Sequence, residues 1–122
     1  MNEIYDYLIT LTDITDKVGT RIYPITAPAD VEEPYLVYFI VSKDSAYQHS
    51  GRMALQRYMV QISVYGKVYH GSVRELADSV ISAMDNLSGQ QGLEGSFQEE
   101  ETLIREEETG YIHIPLTFAV WT

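Results

Sequence analysis

The sequence contains no cysteine and no long apolar run. Without cysteine the chain can form no disulfide, no thiolate nucleophile and no cysteine-ligated zinc site. No apolar run approaches the roughly 20 residues that a membrane-spanning helix needs. The first residues, MNEIYDYL, are acidic where a secretory signal would be basic. The sequence therefore predicts a soluble protein with no membrane segment and no export signal.

Basic residues are also scarce. Lysine and arginine together number 8 against 18 aspartates and glutamates, so the formal net charge is -10. This balance argues against a surface that holds DNA or RNA by neutralising its phosphates. It is compatible with a surface that nucleic acid passes without binding.

What the chain does contain is enough apolar material for one core. With 122 residues and 45% hydrophobic content, the length predicts a single domain over residues 1–122. Ten of the residues are tyrosine. Tyrosine is enriched at subunit interfaces, because its ring can be buried while its hydroxyl stays in contact with water.

The clearest pattern is a strand followed by a helix between Leu55 and Leu87. Every second residue from Tyr58 to Val64 is apolar, which is typical of a strand with one buried face. The apolar period then changes to that of a helix, and the stripe comprises Val73, Leu76, Ala77, Val80, Ile81, Met84 and Leu87. We expect this stripe to pack on the strand and to form the centre of the core.

The segments before this unit predict one further helix and one further strand. A helix that begins near Asn2 should end or restart near Thr12, because threonine and aspartate are poor helix formers. Residues 21–23 are a short extended piece. Residues 35–41 are apolar at every position, which favours a central strand covered on both faces.

The C-terminal part predicts a hairpin of residues 97–107 and 111–121. A three-residue loop would place Ile104 opposite Ile114, and we prefer this register to that of a two-residue loop. Pro115 has no amide hydrogen, so its strand should lie at an edge there or be locally bulged. The predicted fold is α+β, with a mostly four-stranded antiparallel sheet and two helices packed on one face.

Residues 42–53 form a polar run between the first two long strands, too long for a tight hairpin. We interpret this run as a projecting loop or β-arm that orders on assembly, since long loops often carry function. The alternative is a hairpin tip with no role. The residues that we predict at an assembly interface are Tyr47, His49 and Arg52 in this run, and Arg57 and Gln61 on the strand face opposite the helix.

No motif predicts catalysis, a cofactor or a metal. His49, His70 and His113 form no metal-binding spacing, and no serine lies in a GxSxG turn. The glutamates at 99–101 and 106–108 could supply paired carboxylates, but neighbouring residues of a strand point to opposite faces. A solvated acidic surface is the better interpretation. The sequence predicts no enzyme.

Several segments, in this order, resemble the small tail completion proteins of long-tailed bacteriophages and prophages, which include head-to-tail joining and tail-terminator-like proteins. They are GTRIYP at 19–24, Pro28, PYLVY at 34–38, QISVY at 61–65 before the helix, and LTFAVW at 116–121. The resemblance covers nearly the whole chain. Each segment is a structural signature, and none is a catalytic motif.

The resemblance implies a virion component that closes the head-proximal end of the tail tube and joins it to the head connector. It implies a ring of identical subunits, with six as the expected number, assembled in the host cytoplasm from an α+β domain without a cofactor. The expected partners are further copies of the chain, the connector and the tail-tube protein. The competing hypothesis is a small cytoplasmic domain that binds a ligand or a protein through its tyrosines.

A ring on the tail axis gives the acidic residues a possible role, because DNA must move through its lumen. Carboxylates there would repel phosphates within a Debye length of about 8 Å, so that DNA could pass without arrest. The predicted lining residues are Glu99, Glu101, Glu106 and Glu108. The alternative is that these glutamates only keep the subunit soluble.

Overall fold

The strands of the protein form one mixed sheet that shares its core with the helices. A computed structural model describes residues 2–28, 31–47, 55–85, 94–100, 104–105 and 110–121. The elements in these ranges are α1 (Asn2–Leu8), α2 (Thr12–Val18), β1 (Ile22–Pro24), β2 (Tyr35–Tyr47), β3 (Leu55–Gly66), α3 (Arg74–Asp85), β4 (Glu94–Glu100), β5 (Ile104–Arg105) and β6 (Ile112–Trp121). None of the described helices is long and apolar enough to span a membrane.

The order of strands in the sheet is β1-β2-β3-β6-β4, and β5 also pairs with β6. Strand β1 runs parallel to β2, whereas the other pairs are antiparallel. The α+β class is confirmed, but the prediction of a mostly four-stranded antiparallel sheet is wrong, because the described residues form a mixed sheet of six strands. The strands β1 and β5 contain three and two residues, too few to produce a periodic pattern in the sequence.

The predicted strand and helix at the centre of the chain are confirmed. Val60, Ile62 and Val64 of β3 are fully buried, and they join the buried stripe of α3 and buried residues of α1 and α2 in one cluster. The last position of the predicted stripe, Leu87, lies outside the described residues. Burial of each large side chain in this cluster contributes roughly 1.5–3 kcal/mol before conformational entropy is subtracted.

The turn between β3 and α3 depends on two glycines. A Cβ on Gly66 would lie 2.6 Å from Cγ2 of Val73, which is itself buried. Gly71 has a φ of +81°, a conformation that residues with a Cβ rarely adopt. These glycines let the chain reverse closely enough for Val73 to enter the core next to β3.

The interpretation of residues 35–41 as a strand covered on both faces is only partly right. Leu36, Val37 and Tyr38 are at most 5% exposed, but Ile40 and Val41 are 42% and 55% exposed. The change coincides with the end of β1, which pairs only with residues 36–38 of β2. Among the described residues, no strand lies beside β2 on that side beyond Tyr38.

The predicted β-arm begins as a continuation of the sheet. Strands β2 and β3 remain paired up to Tyr47 and Leu55, with register shifts between Ile40 and Ser42 and between Asp44 and Tyr47. Residues 42–47 are therefore strand and not loop. The remainder of the predicted arm lies outside the described residues.

At the N-terminus, the predicted restart of the helix at Thr12 is confirmed. Helix α1 ends at Leu8 and α2 begins at Thr12. At the C-terminus, the predicted register is wrong by one residue, because Ile104 pairs with His113 and not with Ile114. Between this pair and the pair of Glu100 with Leu116 the register changes by one residue. Pro115 lies in that interval, which agrees with the irregularity predicted from its missing amide hydrogen.

We predict that Leu116→Ala lowers the free energy of unfolding by about 2–5 kcal/mol, because Leu116 is fully buried in the core cluster and its removal leaves a cavity. The neighbouring Thr117→Ala is the control, since Thr117 points to the other face and is only partly buried; its cost should stay under about 1 kcal/mol. Urea unfolding measures both values. Equal losses would contradict the assignment of the two faces.

Candidate functional site

The face of the sheet opposite the core cluster carries a group of aromatic contacts and a cleft, and it is the candidate functional site. We call it the second face and define it by Met59, Gln61, Ser63 and Tyr65 of β3 and their ladder partners on β2 and β6. The register places His113 of β6 opposite Tyr65 and Ala119 opposite Met59 on this face. Trp121 pairs with Arg57 at the end of the same ladder.

A row of stacked rings crosses the second face. Tyr35, Tyr65 and His113 lie on three adjacent strands and are direct ladder partners. The ring centroids of Tyr35 and Tyr65 are 4.9 Å apart, and those of Tyr65 and His113 are 4.3 Å apart, with the planes within 10° of parallel. Such aromatic pairs contribute about 0.5–1.5 kcal/mol beyond the area they bury. The row therefore holds the three strands in register on this face.

Two further tyrosines pack edge-on against the row. Tyr23 of β1 and Tyr111 lie with their ring centroids 6.4 Å and 6.1 Å from that of Tyr35. The ammonium nitrogen of Lys67 lies 5.1 Å from the centroid of the Tyr111 ring, within the range of a cation–π interaction. The positive charge of Lys67 thus lies at the edge of this group of half-buried rings.

Next to these rings the connection after β1 leaves an open cleft. Its volume is about 240 Å³, and its lining includes Ile25, Pro28, Val31, Tyr35, Tyr65 and Tyr111. Several tyrosines therefore do meet at one surface, as their number suggested. Sequence reasoning missed Tyr23, Tyr35 and Tyr111, because only the pairing of β1 with β2 and of β2 with β3 brings these residues together. The high tyrosine content was the one signal available.

One predicted interface residue and one predicted lumen residue lie on the same row of the second face. Gln61 pairs with Thr117, and Thr117 pairs with Glu99 on β4. Adjacent strands lie about 4.8 Å apart, so roughly 10 Å separates the backbones of Gln61 and Glu99. Gln61 donates a hydrogen bond from Nε2 to Oγ of Ser63 at 2.9 Å, and Glu99 is exposed.

The other predicted residues are placed only in part. Tyr47 and Arg57 are described through their backbone: Tyr47 pairs with Leu55 at the end of β2, and Arg57 pairs with Asp44 and Trp121. The remaining five, His49, Arg52, Glu101, Glu106 and Glu108, lie outside the described residues. The pairing of β2 with β3 up to Tyr47 agrees with the β-arm alternative of the sequence prediction and not with the loop.

The acidic cluster is divided between the two faces of β4. Glu100 pairs with Leu116 on the core side, where its two carboxylate oxygens accept hydrogen bonds from Nη1 and Nη2 of Arg74 at 2.8 and 2.7 Å. Arg74 also contacts Asp78 at 2.9 Å. Glu100 therefore connects β4 to the beginning of α3. Glu100 is exposed like Glu99, but its charge is paired with that of Arg74.

No group of three side chains suited to a metal ion occurs in the described ranges. The two histidines among them lie in different surroundings. His70 packs edge-on against the ring of Tyr69, and His113 stacks on Tyr65.

The Arg74–Glu100 pair predicts a dependence of stability on pH. Hydrogen bonds from Arg74 and its positive charge lower the pKa of Glu100 below its ordinary value. A lowered pKa adds stability above the ordinary pKa of about 4.3, and this contribution is lost as the pH falls through the lower folded-state pKa. Because both side chains stay partly exposed, Glu100→Gln should cost up to about 1 kcal/mol at pH 7.

Urea unfolding between pH 2.5 and pH 7, values chosen to bracket the carboxylate range of about 4, measures this effect. The difference between wild type and Glu100→Gln should shrink toward the acid end. Glu75→Gln, at an exposed position of α3, is the matched control and should change little. A difference for Glu100→Gln that is constant with pH would refute a role for the ionised carboxylate.

Residues 2–122 match the model of the family described as tail completion protein gp17. Among solved structures, the chain is similar to one from the virion of a native gene transfer agent particle. The two share 21% identity with a TM-score of 0.70, over 97% of this chain and 90% of that one. At this identity the similarity shows the fold. A second structure aligns over 99% of this chain and 95% of that one, but its identity of 16% and TM-score of 0.45 are too low to show a shared fold. No curated protein sequence matches the chain.

Proposed function

Because the chain belongs to the tail completion protein gp17 family and is thus a structural protein of a phage-type tail, we propose that it ends the tail tube and joins it to the head connector. In this function it acts as a ring of six identical subunits at the head-proximal end of the tail, assembled in the host cytoplasm. The observation that carries the proposal is the family match over residues 2–122. It favours assembly over the alternative of a ligand-binding domain.

The β-arm is the part of the subunit that we assign to contacts between subunits. Strands β2 and β3 extend the sheet as far as Tyr47 and Leu55, and residues 48–54 connect these two strands in the sequence. Tyrosine and arginine are the residue types favoured as anchors at protein interfaces. Tyr47, His49 and Arg52 are the anchors in this proposal, and Arg57 and Gln61 continue the interface along β3.

We predict that the combined substitution Tyr47→Ser, His49→Ser and Arg52→Ser blocks head-to-tail joining while the subunit stays folded, because Tyr47 is the last residue of β2 and the other two belong to the polar run that follows it in the sequence. The assay adds purified protein to extracts that lack it and counts joined particles by electron microscopy. Wild-type protein should restore joining, and the variant should fall below about a tenth of that yield, which corresponds to a loss of 1.4 kcal/mol or more.

The control variant for the arm, Ser45→Ala with Gln48→Ser, alters the same segment without touching an anchor and should restore joining fully. Circular dichroism and thermal melting verify that both variants fold. Normal joining by the triple variant would show that the arm is not the interface. Failure of the wild-type protein in the same assay would instead count against the joining function itself.

The acidic residues of the second face and of the last hairpin are the ones that we assign to the lumen. Glu99 is exposed on β4 at one end of the sheet, and Glu101, Glu106 and Glu108 follow it in the chain. Glu100 is excluded from this role by its pairing with Arg74. A carboxylate lining would keep DNA from adhering, since there is no phosphate neutralisation and no release of counterions to favour binding.

We predict that changing Glu99, Glu101, Glu106 and Glu108 to lysine leaves heads and tails joined but slows or stalls DNA ejection, because lysines would bind the phosphates. The matched control changes Asp6, Asp13, Asp16 and Glu75 to lysine, which alters the net charge equally at exposed helical positions. Time-resolved release of DNA from purified particles measures the effect. Normal ejection from the first variant would overturn the lumen assignment. Equal slowing in both variants would show that the effect depends on the net charge of the subunit and not on these four positions.

A further inference from the structure

Strand β1 ends early, and among the described residues no strand lies beside most of β2 on that side. It pairs with β2 only at residues 36–38, and its last residue, Pro24, has no amide hydrogen to continue the ladder. Ile25 has a φ of +68°, a rare conformation for a β-branched residue. After the hydrogen bond from the Ile25 amide to the carbonyl of Tyr38 at 2.9 Å, the chain turns away. Within the described residues, nothing pairs with the far side of β2 from Phe39 to Tyr47.

The uncovered edge begins with apolar residues. Ile40 and Val41 remain substantially exposed, and Val41 is the extra residue of a bulge in the β2–β3 ladder. Proteins protect free edges with charges, proline or bulges, since an exposed apolar edge is a template for pairing with another strand. Here the bulge is present, but the side chains at it are apolar, which favours a partner strand over protection from one.

The backbone groups on this edge have a defined direction. The amide of Leu36 donates to the carbonyl of Arg21 at 3.0 Å, and the carbonyl of Tyr38 accepts from Ile25. Alternate residues of a strand direct their N–H and C=O groups to the same side. The next residue in this series is Ile40, so its N–H and C=O groups point out of the sheet where β1 has ended.

At the other end of the sheet, β4 pairs with β6 on one side, and no described strand pairs with its other side. Strands β2 and β6 are both antiparallel to β3, and β4 is antiparallel to β6. Strand β4 therefore runs opposite to β2. If one subunit is placed beside another by rotation about a common axis, its β4 meets the neighbour's β2 in antiparallel orientation.

We propose that the Phe39–Tyr47 edge of β2 pairs with β4 of a second copy of this chain, so that the sheets of neighbouring subunits continue into one another. This inference rests on the ring of the proposed function and names the contact that closes it. A head-to-tail contact between two different edges generates a ring when the rotation closes. The pairing also covers Ile40 and Val41, which the isolated subunit leaves exposed.

The charges of the two strands favour this pairing over the symmetric ones. Strand β4 contains Glu94, Glu99 and Glu100 and no basic residue, whereas Phe39–Tyr47 contains Lys43 and Asp44 and has no formal net charge. Two β4 strands side by side would oppose like charges, which is unfavourable between adjacent strands. Two β2 strands side by side would form a two-fold dimer and leave β4 unpaired, and such a dimer does not continue into a ring.

The test compares Ile40→Pro with Ile40→Thr. Proline removes the outward N–H and is tolerated at a strand edge, whereas threonine shortens the same side chain but keeps the N–H. Association is followed by light scattering and native mass spectrometry over a range of concentrations, with and without purified tail tubes. Ile40→Pro should weaken association by about tenfold or more, and Ile40→Thr should stay close to wild type. Melting curves establish that both variants fold.

Hydrogen exchange of the wild-type protein, alone and assembled, gives a second measurement that does not depend on the folding of a variant. Amides of residues 39–47 and of residues 94–100 should gain protection together on assembly. Protection of 39–47 alone would mean a β2–β2 dimer and would overturn the inference. A ring in which neither segment gains protection would also overturn it. So would a ring that Ile40→Pro joins with wild-type affinity. Those results leave the proposed function intact. A wild-type protein that stays monomeric at every concentration and on tail tubes would overturn both.

Discussion

The alternation of β3 is the constraint on which the rest of the structure depends. Its strand has ladder partners on both sides, β2 from Tyr35 to Tyr47 and β6 from Ile112 to Trp121. Because side chains alternate along a strand, Val60, Ile62 and Val64 join the core cluster, while Gln61 and Tyr65 face the other way. A shift of one residue would exchange the two faces. The helices, the core and the second face all follow from this single register.

On the second face, aromatic side chains of neighbouring strands pack against one another. The stack of Tyr35, Tyr65 and His113 runs across three strands at the same level of the ladder. Rings of this kind can be buried against one another and still present an edge or a polar group to a partner.

The acidic side chains of β4 differ in their contacts. Glu100 forms a two-bond contact with Arg74 and so fastens the edge strand β4 to α3, whereas its neighbour Glu99 points to the other face and stays exposed. In β2 the division instead runs along the strand, because its first half is buried and its second half extends beyond the residues that pair with β1.

The sequence by itself determined the features that depend on local periodicity. The alternation at Val60, Ile62 and Val64, the stripe of α3 and the restart of the first helix at Thr12 were all predictable, because each is repeated over several neighbouring residues. The family could also be recognised from short segments spread along the chain. These signals are local, and they do not require knowledge of which strands are neighbours.

Tertiary structure alone decided the features that depend on pairing between distant segments. Strand β1 is too short to show a period, yet its pairing with residues 36–38 determines where β2 changes from a covered strand to an exposed edge. Likewise, the register that sets Ile104 opposite His113 differs by one residue from the one that loop length suggested. The stack of Tyr35 on Tyr65 and the pairing of Glu100 with Arg74 follow from such registers. Long-range hydrogen bonds set them, and no local pattern in the sequence records which partner a strand will find.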